Sequence, residues 1–447
     1  MLKKVFLLLS ILFLSCNTEK STYFSGKIIK PTNNEITLLK DELVVKSLPI
    51  NNDGTFISSI DINEDGLYNF IHLPEFQYLI INKGDSLSLR LNSLDFDESL
   101  VFSGAGSEKN NFLIDVFLDH ELEENFIRSN YNTSGLEFYV LIDSLLKNKI
   151  LKFEKISSNL KLNKTSSLII ENAIKLPLLS HIESYLFKNK KEYENNLKLF
   201  MNYRNNIDLN NETLLHFKPY LDYIILRSIN ESFKVDDGYD YSLKFNLNRL
   251  EFINSMIYND IIKNKLLRFI AYEYLLEEKL LINIDTFINE FDKVLVSDKT
   301  KDEIKELYMN ITALQIGRSI PDINLIQRDG TLKKISDIKN SKNVFLFWSY
   351  DQNSHQINLF NKVYQFSKNY LDFNFYMINI NEDFNKWVFN ISEYESKSNI
   401  INMKAEDFQT MSKKMVLNNL NKVIITKNNI INGVINITEM ENFLDKN

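Results

Sequence analysis

Apolar and polar positions along this chain follow three successive patterns. From about residue 23 to 105 they alternate over short segments, as in Ser86-Leu87-Ser88-Leu89-Arg90-Leu91. Alternation of this kind puts one face of a β-strand into a core. The segments are bounded by the turn signals Asn52-Asp53-Gly54, Glu64-Asp65-Gly66 and Lys83-Gly84-Asp85. Tyr78 to Ile81 and Ser86 to Leu91 are expected as strands flanking the last turn, and the segment as a small antiparallel sandwich. From about 107 to 314 the spacing becomes three and four: Phe138, Leu141, Ile142, Leu145 and Leu146 mark one helical face. Glycine and proline are confined there to Gly135, Gly238, Pro177 and Pro219. Further helices are expected near 166–189, 190–204, 213–230, 241–257, 258–280, 283–296 and 299–315. No repeat of fixed period marks a solenoid. The aromatic residues Tyr220, Tyr223, Phe269, Tyr272 and Tyr274 are read as core rather than as a ligand box.

The third pattern, from near Ile316, mixes the two periods. Ile323-Asn324-Leu325 reads as a strand, Asp329-Gly330 as a turn, and Val344 to Trp348 as a buried strand. A helix is expected over 353–370, with Ile357, Phe360, Val363, Tyr364 and Phe366 apolar. Phe373 to Ile380 is the next buried strand, and 404–416 suits a helix. Lys422 to Thr426 and Ile430 to Ile435 form a hairpin, followed by a helix over Thr438 to Leu444. A β-α-β unit followed by β-β-α is the order of the thioredoxin core. The fold class expected is multidomain α+β: an N-terminal antiparallel β-sandwich over 23–105, a central all-α region over 106–314, and a C-terminal thioredoxin-like α/β domain over 315–447.

The N-terminus carries a different signal. Lys3 and Lys4 precede the apolar run Val5 to Leu14, which is too short to span a bilayer as a helix. It ends in Phe13-Leu14-Ser15-Cys16, which resembles a bacterial lipobox. That resemblance implies a signal peptide over 1–16, lipidation at Cys16, and a polar tether over 17–22. Several acyl chains anchor a protein stably where one does not. The expected location is the cell envelope, on the periplasmic side of the outer membrane. The residues after Cys16 hold one acid and one base, not the acidic cluster associated with surface export in Bacteroidetes lipoproteins.

Composition then narrows the chemistry. Net charge is -7 over 447 residues without long single-sign blocks, so the basic face that nucleic acid would need is missing. Cys16 is the only cysteine. No internal disulfide can form, and if Cys16 is acylated no free thiol remains for a cysteine-based mechanism.

That count bears on Asn343 to His355, NVFLFWSYDQNSH. The C-terminal region resembles the membrane-anchored thiol-disulfide oxidoreductases of the thioredoxin superfamily, the type tied to cytochrome c maturation. Gly317-x-x-x-Pro321-Asp322 is similar to their opening motif. Gly330 and Asp337 sit at their turn and S-D-L segment, and Phe347-Trp348-Ser349-Tyr350 precedes the redox pair. Asn379 to Asp383, with Trp387, is similar to their strand-end acidic turn and following helix. The Lys83-Gly84-Asp85-Ser86 turn and the run Phe102 to Asn111 resemble a β-domain of unassigned function in Bacteroidetes lipoproteins that end in a thioredoxin-like domain. The resemblance implies that the redox pair of a W-C-x-x-C motif after Trp348 is replaced by Asp351 and Ser354, and the opposing cis-proline by Leu420. In the family, the first cysteine is activated at the helix N-terminus and the second resolves the mixed disulfide. Asp351 and Ser354 can do neither. Asp351, Asn353 and Ser354 are expected instead to cap the helix. A non-proline cis bond costs about 3 kcal/mol, so a trans peptide is expected at Leu420.

Other candidate chemistry is sparse. Asp351, Ser354 and His355 form a carboxylate–hydroxyl–imidazole cluster, but adjacent helical residues point about 100° apart. Asp61-x-Asn63-x-Asp65-Gly66 matches the first half of a calcium loop, yet position twelve is His72, and a β-turn is the preferred reading. His72, His120, His181, His216 and His355 have no ligand spacing. Gly104-Ala105-Gly106 lacks the rest of a phosphate loop. No metal and no cofactor are expected. The expected function is a redox-inactive thioredoxin-like envelope lipoprotein that binds or scaffolds a peptide or protein partner. Its candidate groove is formed by Tyr350, Gln352, Asn353 and His355. The alternatives are non-thiol enzyme chemistry around Asp351, Ser354 and His355, or capture of a nutrient or partner by the helical region.

Overall fold

The computed structural model describes residues 21–160, 162–233, 242–278, 280–338, 342–392 and 399–446. The chain divides into two compact units. The first holds residues 1–241 and 251–266; the second holds 242–250 and 267–447.

The first unit begins with eight strands and one short helix: β1 (Thr22–Ile29), β2 (Glu35–Lys40), β3 (Leu43–Pro49), β4 (Thr55–Ile60), β5 (Gly66–His72), β6 (Glu75–Ile81), β7 (Ser86–Asn92), α1 (Phe96–Ser99) and β8 (Val101–Ala105). They form two four-stranded sheets, β4-β1-β7-β8 and β3-β2-β5-β6. The alternating apolar residues meet between the sheets: Phe24, Ile28, Phe56, Leu87 and Leu89 from one, Ile36, Leu38, Phe70 and Leu79 from the other. Each such side chain contributes ~1.5–3 kcal/mol when fully buried. The sandwich is not purely antiparallel, because β1 and β7 pair parallel. The Lys83-Gly84-Asp85 turn is the cause. Rather than closing a hairpin, it carries the chain from β6 in one sheet to β7 in the other. Gly84 supplies the left-handed φ of 84°.

The helices that follow are α2 (Ser107–Ser129), α3 (Gly135–Leu160), α4 (Lys164–Lys188), α5 (Tyr193–Asn205), α6 (Lys218–Ser232), α7 (Leu243–Met256), α8 (Asp260–Glu277), α9 (Leu281–Val294) and α10 (Asp298–Ala313). α4 has buried residues around its circumference, among them Ile169, Ile174, Leu178, Ile182 and Leu186, as expected for a helix enclosed by others. Its buried Glu183 accepts two hydrogen bonds from Arg204 of α5, at 2.8 and 2.6 Å, and one from Asn230 of α6 at 2.7 Å. Tyr220, Tyr223 and Tyr274 are core residues, but Phe269 is 49% exposed. The unit division falls within α7 and α8.

The second unit contains the mixed sheet. Its elements are β9 (Asn324–Ile326), β10 (Leu332–Lys334), β11 (Lys342–Trp348), α11 (Asn353–Asn369), β12 (Phe373–Asn379), α12 (Phe384–Ser392), β13 (Ile400–Ala405), α13 (Phe408–Lys414), β14 (Lys422–Lys427), β15 (Ile430–Asn436) and α14 (Met440–Leu444). The sheet order is β10-β9-β13-β12-β11-β14-β15. β11, β12 and β13 run parallel, and β14 returns antiparallel to β11. This is a thioredoxin-like connectivity. β11 is buried on both sides, with Phe345 and Phe347 in one core and Val344, Leu346 and Trp348 in the other. The single helix expected over 404–416 is instead β13 followed by α13. Asp407 stops the strand and caps the helix by accepting from Gln409 and Thr410.

Candidate site at the end of the central strand

The parallel strands β11 and β12 end side by side at Trp348 and Asn379, with Lys404 of β13 paired beside Asn379. Trp348 is buried, edge-on to Phe360 of α11 with ring centroids 5.0 Å apart. It anchors the strand while the chain turns through Ser349 to Gln352. Within that turn the Asp351 amide donates to Ser349 Oγ at 3.1 Å.

The expected cap is not present. Gln352 occupies the N-cap position of α11, and its side chain makes no cap hydrogen bond. The Asp351 carboxylate is engaged elsewhere: it accepts from Asn381 Nδ2 at 2.6 Å and lies 3.5 Å from Lys386 Nζ. Asn381 in turn accepts from the Tyr350 amide at 3.0 Å and from Asn379 Nδ2 at 3.1 Å. Lys386 stands 4.1 Å from the Tyr350 ring centroid. The Asp351–Lys386 pair is exposed and worth ~0–1 kcal/mol. The organising residue is therefore Asn381, which ties the turn after β11 to the turn after β12. Asn381 and Lys386 carry little signal of this role in the sequence. Both fall in the Asn379 to Trp387 stretch that resembles a strand-end turn and following helix, which locates them without indicating their partners.

Asp351, Ser354 and His355 are not joined by a hydrogen bond among the described residues. Ser354 is exposed. His355 is half-buried, and burial lowers its imidazole pKa against the opposing pull of the Asn421 side chain. A serine–histidine–aspartate relay needs the base within reach of the nucleophile, and this arrangement does not provide it. Of the candidate groove, Gln352 and Asn353 are exposed, while Tyr350 and His355 are half-buried.

The facing wall contains Leu420, half-buried against the core beneath the sheet. The peptide bonds at Leu420 are trans. The preceding turn is held in another way. Val416 adopts φ 47°, an αL conformation that costs a β-branched residue roughly 1–3 kcal/mol. Lys422 Nζ donates to the carbonyls of Met415 at 3.2 Å and Val416 at 2.6 Å, which fixes the turn. Burial draws the Lys422 amine down to about 8.

The other candidates are engaged in structure. Asp65 accepts from the Lys83 amide and from Asn163, each at 2.7 Å, and β5 starts at the next residue. His72 contacts Thr32 through Nε2 and the Glu35 carbonyl through Nδ1. Cys16, with all of the expected signal peptide and most of the tether, lies outside the described residues.

No family model matches this chain, and no curated protein does. Similar solved structures include the thioredoxin domain of a thiol-disulfide oxidoreductase from Bacteroides vulgatus, at 18% identity. That likeness covers 30% of this chain and 97% of the other, with a TM-score of 0.25. A domain of a possible thiol-disulfide isomerase from Cytophaga hutchinsonii is 17% identical over 30% of this chain and 92% of its own, with a TM-score of 0.25. A thioredoxin-like protein from Bacteroides caccae is 11% identical over 60% of this chain and 92% of its own, with a TM-score of 0.35. The strand order itself, rather than these likenesses, defines the C-terminal fold as thioredoxin-like. The cysteine count defines it as one without a redox pair.

Proposed function

We propose that this chain is a redox-inactive, thioredoxin-like lipoprotein of the cell envelope that binds or scaffolds a peptide or protein partner. Acyl chains on Cys16 would hold it at the periplasmic side of the outer membrane. Fold alone does not imply function, so the reading rests on the junction after β11. There Asp351 and Ser354 fill the redox positions, and Asp351 is bound to Asn381 instead of capping α11. Among the described residues, the first backbone N–H groups of α11 consequently have no capping side-chain acceptor. Unpaired N–H groups of this kind suit the carbonyls or carboxylate of an extended peptide. Tyr350, Gln352, Asn353 and His355 surround them.

The test is a photocrosslinking residue at Gln352, compared in cells with one at the exposed Leu332. A discrete adduct at 352 and none at 332 is expected. Equal adducts at both positions refute the groove. Purified Cys16→Ser protein should show no turnover in a disulfide-reduction assay with an active thioredoxin as control; thiol-dependent turnover refutes redox inactivity. In cells, Cys16→Ser should abolish acyl labelling and release the protein from the membrane fraction.

A further inference from the structure

A cavity of about 270 Å³ opens in the first unit between β6, α2 and the start of α6. Its volume is at or below the ~300–1,000 Å³ of pockets for drug-sized ligands, so only a small group fits. Three aromatic rings line it. Phe76 and Tyr78 meet edge to face with centroids 5.7 Å apart, and Tyr78 and Phe117 lie 6.1 Å apart at 45°. These rings are fixed from behind. Tyr78 and Phe117 both pack on the buried Phe217, at 5.2 and 6.4 Å, and the Tyr78 hydroxyl accepts from the Lys218 amide at 3.0 Å. Phe76 is 50% exposed at the mouth.

The charges at the rim are mostly negative: Asp97, Glu121 and Asp222 against Lys218. Lys218 is paired with Asp222. Asp97 and Glu121 line the same cavity and form no ion pair among the described residues. Burial and the neighbouring Glu98 hold the Asp97 carboxyl above its usual range, as expected of a carboxylate short of a counter-ion. Several other aromatic residues of this chain have a lysine or arginine over the ring, such as Tyr68, Tyr131 and Tyr350. Among the described residues, no such cation stands over Phe76, Tyr78 or Phe117. Negative ring faces together with uncompensated carboxylates attract a cation whose own surface is apolar, and they repel an anion.

We propose that this cavity binds an organic cation, an alkylated ammonium group whose carbons lie against Phe76, Tyr78 and Phe117 while Asp97 and Glu121 supply the counter-charge. The site is separate from the groove after β11 and stands or falls independently of it.

The experiment is calorimetric titration of the full chain carrying Cys16→Ser with choline, with tetramethylammonium, and with 3,3-dimethylbutan-1-ol, the neutral isostere of choline. Both cations should bind saturably and the isostere roughly tenfold more weakly or not at all. Phe76→Leu keeps apolar volume but removes the ring, and Glu121→Gln removes one charge. Each should weaken choline by roughly fivefold or more while leaving thermal unfolding unchanged, since both side chains are exposed. Equal affinity for choline and its isostere would make this an apolar cavity and overturn the proposal. Undiminished choline binding by Phe76→Leu, or no saturable binding of either cation, would also overturn it.

Discussion

Asn110 and Asn111 are neighbours on α2, and each satisfies both backbone groups of one strand residue. Asn110 accepts from the Ile80 amide at 2.7 Å and donates to its carbonyl at 2.9 Å. Asn111 does the same for Phe102, at 2.8 and 2.9 Å. Ile80 lies on the edge strand of one sheet and Phe102 on the edge strand of the other, so two adjacent side chains close two sheet edges. Asn110→Ala leaves a buried donor and acceptor unpaired and should cost ~1–3 kcal/mol or more. Asn111 is only half-buried, so water can replace part of its role and Asn111→Ala should cost less. Urea midpoints compare them, and equal losses would contradict this account. His120 gives a second residue-scale expectation. Its Nε2 faces the Ala173 carbonyl at 3.2 Å, and burial, aided by Lys149, lowers its pKa to about 4. The unfolded chain, with a histidine pKa of ~6.5, therefore takes up the proton first. The stabilisation is full above pH ~6.5 and is lost as pH falls through ~6.5 toward ~4, by on the order of 3 kcal/mol. His120→Gln should flatten the stability profile across that window; an unchanged slope would show that His120 is not the titrating group.

At the scale of elements, periodicity identifies the helices and the buried strands, because each buries a continuous apolar face. It cannot identify pairing. Lys83-Gly84-Asp85 has hairpin chemistry, yet it passes the chain between sheets, and local turn preferences do not encode which sheet the next strand joins. β13 is hard to tell from a helix because Asn402 and Lys404 break its apolar run, although Lys404 is buried beside Asn379. The candidate site is legible in position and not in wiring. One strand–turn–helix signature locates Trp348, Asp351 and Ser354, whereas the partner of Asp351 lies 30 residues on, at Asn381. The signature itself can be tested by restoring the chemistry. Asp351→Cys with Ser354→Cys, on the Cys16→Ser background, should fold, since the bonds from Asp351 to Asn381 and Lys386 are exposed and worth ~1 kcal/mol or less. The new pair should oxidise to a disulfide, so that thiol titration gives none before reduction and two equivalents after it. Thiols that stay free in a folded protein would mean that positions 351 and 354 do not correspond to a redox pair.

For the molecule as a whole, the question is which stretches of chain can stand alone. Composition changes near Ile316, where strands replace helices. The core beneath the C-terminal sheet nevertheless includes Leu314, at the end of α10, and is flanked by Leu276, Leu307 and Ile311 of the preceding helices. Arg249, fully buried, reaches Glu273 at 2.7 Å and joins the first part of α7 to α8 within the same unit. Four aliphatic side chains, at ~1.5–3 kcal/mol each when fully buried and less for the three that are partly covered, amount to roughly 5 kcal/mol. That is a large share of the ~5–15 kcal/mol that stabilises a typical domain. A fragment of residues 315–447 would also expose the apolar surface those helices cover. It should bind a hydrophobic dye, self-associate and unfold with a shallow transition. A fragment of residues 267–447, the continuous part of the second unit, keeps Leu276, Leu307, Ile311 and Leu314 against that core and should bind less dye and unfold with a steeper transition. Matching urea midpoints and slopes for the two fragments would show that the thioredoxin-like part carries its own stability and that α8 and α10 merely rest against it.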